Sequence, residues 1–76
     1  MSAHRVDRQA ATIAVNGVER PLAAHASVAD LLRELALEGK RIAVEKNGEI
    51  VPRSGYAETP LSAGDRLEIV GAVGGG

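Results

Sequence analysis

The sequence predicts an α+β fold: a mixed sheet of four to five strands packed on one helix. Three observations lead to it. Two Asn-Gly pairs, Asn16-Gly17 and Asn47-Gly48, each separate short runs of strand-forming residues. Between them, Ser27 to Leu37 carries apolar residues at helical spacing. A last alternating segment, Arg66 to Val70, then runs into a glycine-rich end.

Each element has a local reason. Thr12-Ile13-Ala14-Val15 alternates, with Ile13 and Val15 on one face. Asn16-Gly17 follows, and both residues tolerate the positive φ of a type I′ hairpin turn. Val18 to Ala23 is the returning strand. It contains Pro21, which has no N–H to give to a neighbouring strand, so it belongs at a sheet edge. In the helical segment Val28, Leu31, Leu32 and Leu35 fall at i, i+3, i+4 and i+7 and form one apolar stripe. Ser27 is suited to cap it, and Asp30 complements the positive helix N-terminus. Gly39 is the expected left-handed C-cap. Arg41 to Lys46 and Glu49 to Val51 form a second hairpin around Asn47-Gly48, and Pro52 ends it. Arg53 to Ala63 is rich in turn residues, with Gly55, Pro60 and Leu61 as anchors. Ala63-Gly64-Asp65 turns into the last strand, where Leu67 and Ile69 point one way and Arg66 and Glu68 the other.

The order is therefore β-β-α-β-β-β. One helix can cover only one face of a sheet. The compact solution is the β-grasp, with the first and last strands adjacent, parallel and central. Pro21 agrees, because the second strand is then an edge.

Composition narrows the function. A chain of 76 residues makes one domain. With one Tyr and no Phe or Trp, the core is built from aliphatic residues, and stacking on single-stranded bases is disfavoured. The formal charge of −1 and the interleaving of acids and bases give no nucleic-acid footprint. The absence of Cys excludes thiolate chemistry on the chain's own side chains. Met1 to Ala10 lacks the apolar core of a secretion signal and reads as a polar leader, residues 1–10, ahead of a domain over 11–70. No apolar run approaches membrane-spanning length. The expectation is a cytoplasmic protein, monomeric alone, with no nucleic-acid or membrane partner.

No side-chain constellation points to an internal active site. His4 and His25 stand apart, without partners at metal-ligand spacing. Ser27 is explained as a cap, and Ser54 and Ser62 as turn residues. Glu45, Glu49 and Glu58 could pair as carboxylates, but they alternate with apolar residues as a solvated strand edge or loop does. Tyr56 is expected to pack its ring against the sheet edge.

The tail, residues 71–76, is different. Gly71, Ala72, Val73, Gly74, Gly75 and Gly76 contain no side chain larger than Val. They directly follow the strand assigned to the centre of the sheet. Terminal glycines alone would read as a loose end. Here they form a slender arm that can thread a narrow channel, ending in a carboxylate that is ionised at neutral pH, with an ordinary pKa of about 3.5. Extended, the arm reaches about 20 Å, enough to enter a partner's active site while the domain stays outside.

At this point the sequence resembles the ubiquitin-like sulfur carriers. The stretches Ile42-Ala43-Val44, Asn47-Gly48-Glu49-Ile50-Val51-Pro52-Arg53, Gly64-Asp65-Arg66-Leu67-Glu68-Ile69-Val70 and Ala72-Val73-Gly74-Gly75-Gly76 look like the ThiS family, the carriers of thiamine biosynthesis. The resemblance runs from Ala11 onward. The string from Asn47 to Arg53 is its more specific part, because Gly-Gly ends are common to all such carriers. The leader is longer than the minimal family chain, and Tyr56 stands where relatives often have Trp.

The resemblance implies a reaction cycle. A ThiF-like adenylating enzyme uses MgATP to turn the Gly76 carboxylate into an acyl-adenylate. A sulfur donor, a desulfurase or rhodanese-like protein, converts this to a thiocarboxylate. A ThiG-like thiazole synthase takes the sulfur. The chain is then a cosubstrate and not an enzyme. It binds no cofactor and supplies no catalytic side chain, and residues 71–75 enter the partner's active site. A carrier serving molybdopterin synthesis shares the tail but usually has aromatic residues just before it. A ubiquitin-like protein modifier, or a non-covalent binding module, stands as the reading from another class. The exposed sheet face near the last strand is the expected docking surface.

Overall fold

The computed structural model describes residues 11–22 and 26–71. The leader 1–10, with His4, lies outside the described residues, as do His25 and the tail residues 72–76.

Five strands and one helix follow in the expected order: β1 (Thr12–Val15), β2 (Val18–Pro21), α1 (Val28–Glu34), β3 (Ile42–Lys46), β4 (Glu49–Val51) and β5 (Arg66–Gly71). The strands form a single mixed sheet in the order β2-β1-β5-β3-β4. β1 and β5 are parallel neighbours, while β1 with β2, β3 with β4 and β3 with β5 are antiparallel. This is the β-grasp arrangement. Pro21 sits on the β2 edge, where its missing N–H costs no ladder bond.

Both hairpin turns take the expected conformation. Asn16 and Gly17 have φ of 52° and 84°, and Asn47 and Gly48 have 53° and 88°. Alternation along the strands then places Ile13, Val15, Val44, Val51, Leu67 and Ile69 on one face. They close over Val28, Leu31 and Leu32 of α1, with Leu61 completing the core. Val28, Val44 and Leu67 are almost wholly removed from solvent.

The helix is shorter than the sequence predicts. It begins as expected with a reciprocal cap: the Asp30 N–H donates to Ser27 Oγ at 3.2 Å, and the Ser27 N–H donates to the Asp30 carboxylate at 3.2 Å. It ends at Glu34, not near Leu37, because Ala36 takes the left-handed conformation with φ 61°. The Leu37 N–H then reaches the Leu32 carbonyl at 2.8 Å and the Ala36 N–H the Arg33 carbonyl at 3.1 Å. This is a Schellman closure with alanine in the place usually held by glycine. Closing there turns Leu37 back onto the core. Gly39 has φ 78° but serves the following turn and does not cap the helix.

Two further differences follow the second hairpin. Arg53–Glu58 is a 3₁₀ helix and not only a run of turns. It carries Tyr56 against the helix side of the core, where Tyr56 and Arg53 line a groove of about 210 Å³ with Ala29, Leu32, Leu37 and Ile42. β5 also runs one residue further than the alternation indicates, since Gly71 is paired with Ile42 and belongs to the sheet.

Candidate functional site

Among the described residues no group of three or more His, Cys, Asp and Glu side chains is placed to hold a metal ion. No described helix is long and apolar enough to cross a membrane. Glu49 and Glu58 are exposed and Glu45 is half-buried, as the solvated edge or loop expected of them requires. The register places Glu45 opposite Ile50 and Glu68. Ser27 is committed to the helix cap, and Ser62 gives its N–H to Asp65.

What remains is the end of β5. This strand is the middle one of the five, with β1 on one side and β3 on the other. It is fixed at its start by Asp65, one of the few polar groups in the interior. The Asp65 carboxylate accepts the Ser62 N–H at 2.8 Å and Asn47 Nδ2 at 3.0 Å. Lys46 Nζ lies 3.9 Å from the same carboxylate. Asn47 Oδ1 accepts the Arg66 N–H at 2.9 Å, and the Asn47 N–H donates to the Arg66 carbonyl at 2.8 Å. The turn asparagine of the second hairpin thus ties down the first residue of the last strand.

The turn asparagine of the first hairpin does the same further along. Ile69 donates its N–H to Asn16 Oδ1 at 2.7 Å, and Asn16 Nδ2 donates to the Ile69 carbonyl at 3.0 Å. In the sequence, Asn16 and Asn47 are explained by their turns alone. The one available signal was that the β-grasp order brings both turns beside the last strand.

β5 presents Arg66, Glu68 and Val70 on the side of the sheet away from the helix. Ala43 and Glu45 from β3 and Ile50 from β4 join them there. Val70 is 58% exposed and Ile50 65%, so this face combines charges with uncovered apolar side chains. Of the six tail residues predicted to act, Gly71 is the last rung of the sheet, and a Cβ added there would meet nothing within 4 Å. Ala72, Val73, Gly74, Gly75 and Gly76 lie outside the described residues. The described site is thus the root of the arm together with the face beside it.

Comparison with known proteins identifies the family. The profile of the ThiS family matches residues 8–76, nearly the whole chain. The chain belongs to the ThiS family. The sulfur carrier protein ThiS of Bacillus subtilis (strain 168) is 44% identical over 50 residues, 66% of this chain and 76% of that protein. Among solved structures, the thiamine biosynthesis protein ThiS from Geobacter metallireducens superposes with a TM-score of 0.74 at 31% identity. That match covers 86% of this chain and 99% of the other. A thiazole synthase from Paramagnetospirillum magneticum (strain ATCC 700264 / AMB-1) is 47% identical over 64 residues, 84% of this chain. The matched segment is 20% of that protein, so this ThiS-family chain spans only about a fifth of the length of that relative.

Proposed function

We propose that the chain carries sulfur for thiamine biosynthesis as a thiocarboxylate on Gly76, and that it is a protein cosubstrate of the enzymes that load and unload it. The observation that carries the reading is the position of Gly71, the last rung of a strand at the centre of the sheet in a ThiS-family chain. Residues 72–76 follow this anchor, and five residues can extend about 17 Å. The Gly76 carboxylate would then meet the reacting groups at a distance from a body that stays folded.

A carboxylate is a poor acyl donor, because its leaving group would be oxide. An adenylating enzyme with MgATP solves this. The carboxylate oxygen attacks the α-phosphate, pyrophosphate leaves, and an acyl-adenylate forms. The terminal sulfur of a donor persulfide displaces AMP, and a thiol cleaves the resulting S–S bond to leave the thiocarboxylate. This is covalent activation with the reactive group on the main chain. It is compatible with a chain that has no Cys. The likeness to a thiazole synthase supports a ThiG-like acceptor. The face formed by Arg66, Glu68, Val70, Ala43 and Ile50 is the docking surface in this reading, beside the root of the arm. A cytoplasmic setting suits a cycle driven by MgATP.

Intact-mass spectrometry tests the proposal. Incubation with the cognate adenylating enzyme, MgATP and a persulfide donor is expected to replace one oxygen of the chain by sulfur, with fragmentation locating the change at Gly76. An unchanged mass overturns it. Mass adducts on lysines of other proteins would instead support a protein modifier.

A further inference from the structure

β5 is longer than the strand that flanks it on one side. The register with β1 covers only Ala14 with Arg66 and Val15 with Leu67. The last backbone bond between these strands is the Asn16 N–H to the Leu67 carbonyl at 2.9 Å. The chain then turns away at Asn16-Gly17. β5 continues to Gly71 with only β3 as a strand partner, up to the Ile42 pair. On the β1 side, the next backbone groups in need of partners are the N–H and C=O of Ile69. The Asn16 side chain takes both, accepting at 2.7 Å and donating at 3.0 Å. A planar carboxamide has the donor and acceptor of a peptide group. It thus stands in for the residue that β1 lacks, across a sequence separation of 53.

The location matters because Ile69 is two residues before Gly71. Without this extra rung, β5 beyond Leu67 would be held from one side only, and paired strands held from one side fray easily. A frayed root must be ordered again each time the arm enters a partner, and that ordering weakens binding. We propose that Asn16 is a positioning residue for the carrier reaction: its amide fixes the direction in which the arm leaves the sheet. The inference rests on the tail chemistry proposed above. Asn meets the requirement for two reasons. Its carboxamide offers both bonds, and it tolerates the left-handed φ of 52° from which the side chain is directed at Ile69.

Asn47 provides an internal comparison. It has the same turn and nearly the same φ, 53°. Its amide also pins β5, but at Arg66, the end farthest from Gly71. Asn16→Gly and Asn47→Gly both keep the turn free of backbone strain, since glycine accepts positive φ. Each deletes one amide clamp. If these clamps serve stability alone, the two variants should behave alike in the reaction.

The test measures adenylation of the full chain by its cognate enzyme, as pyrophosphate release against carrier concentration, with ¹⁵N relaxation of Gly71 alongside. Asn16→Gly is expected to raise KM about five- to tenfold, an effect of the size that one lost ordering contact produces, with kcat changed less than about twofold. The Gly71 order parameter is expected to fall. Asn47→Gly is expected to melt earlier but to keep KM within about twofold and Gly71 as ordered as before. Equal KM values for the two folded variants, or unchanged Gly71 order in Asn16→Gly, overturn the proposal. Should Asn16→Gly fail to fold, Asn16→Asp replaces it. That variant keeps the acceptor for the Ile69 N–H and loses the donor to the Ile69 carbonyl, and it must show the same two effects. If the unaltered chain is not adenylated, the functional reading fails, and Gly71 order alone then decides the role of Asn16.

Discussion

Glu45 on β3 and Glu68 on β5 face each other across the antiparallel pair, on the side of the sheet away from the helix. Like charges directly opposite on neighbouring strands repel. Neither forms an ion pair with a cation among the described residues. Glu45→Gln, which keeps shape and removes charge, is expected to raise stability by about 0.2–1 kcal/mol. Urea melts at low and high salt check this. The gain should shrink as salt screens the pair, and a gain independent of salt would assign it to something other than repulsion.

Ala36 offers a second stabilising change. An L-residue in the left-handed region costs roughly 1–2 kcal/mol, which glycine does not incur. Ala36→Gly keeps the closure formed by the Leu37 N–H and the Leu32 carbonyl. The expected gain is about 1 kcal/mol, read as a higher midpoint in thermal and urea unfolding. A loss of stability would mean that the alanine methyl packs better than its φ of 61° suggests.

Asp65 is the reverse case. Its carboxylate accepts from Ser62 and Asn47 in a nearly buried position. Asp65→Ala removes both bonds; Ser62 and Asn47 are exposed, so water can reach their donors, and the expected loss is about 1.5–3 kcal/mol, the range for hydrogen bonding to a charged group. For a domain of this size, each kcal/mol lowers Tm by about 4–8 °C. Calorimetry should show the drop, and a double-mutant cycle with Asn47→Ala should show strong coupling.

The arm separates stability from function. Deleting Gly75 and Gly76 is expected to abolish thiocarboxylate formation while leaving Tm within about 1 °C, because chain ends contribute little to folding. Gly71→Ala is expected to fold normally, since the new methyl meets nothing. Any loss of adenylation by folded Gly71→Ala would then arise in the partner's channel, where thermal melts of the free chain do not report.

The fold was largely readable from local signals. Asn-Gly set both hairpins, the spacing of Val28, Leu31 and Leu32 gave the helix, and Pro21 marked the edge. These signals act within a few residues, so a single sequence displays them. What was missed depends on partners far along the chain. The early helix stop at Ala36 reflects Leu37 returning to the core, a tertiary demand that overrides the glycine signal at position 39. The extra rung at Gly71 depends on Ile42 across the sheet. The clamps by Asn16 and Asn47 depend on β5, which follows Asn16 by some fifty residues and Asn47 by about twenty. As for the site, the sequence pointed to Gly71 through Gly76, and the described residues add the root on which that arm stands.

The central place of β5 has a consequence for how the protein is made. Until Arg66–Gly71 has left the ribosome, β1 and β3 share no neighbour, and the chain holds two separate hairpins joined by a helix. Isolated hairpins are marginal in water. A nascent chain arrested before β5 therefore has no finished sheet to offer a partner. The same strand that carries the arm closes the body, so a folded chain is one whose synthesis has reached the root of that arm.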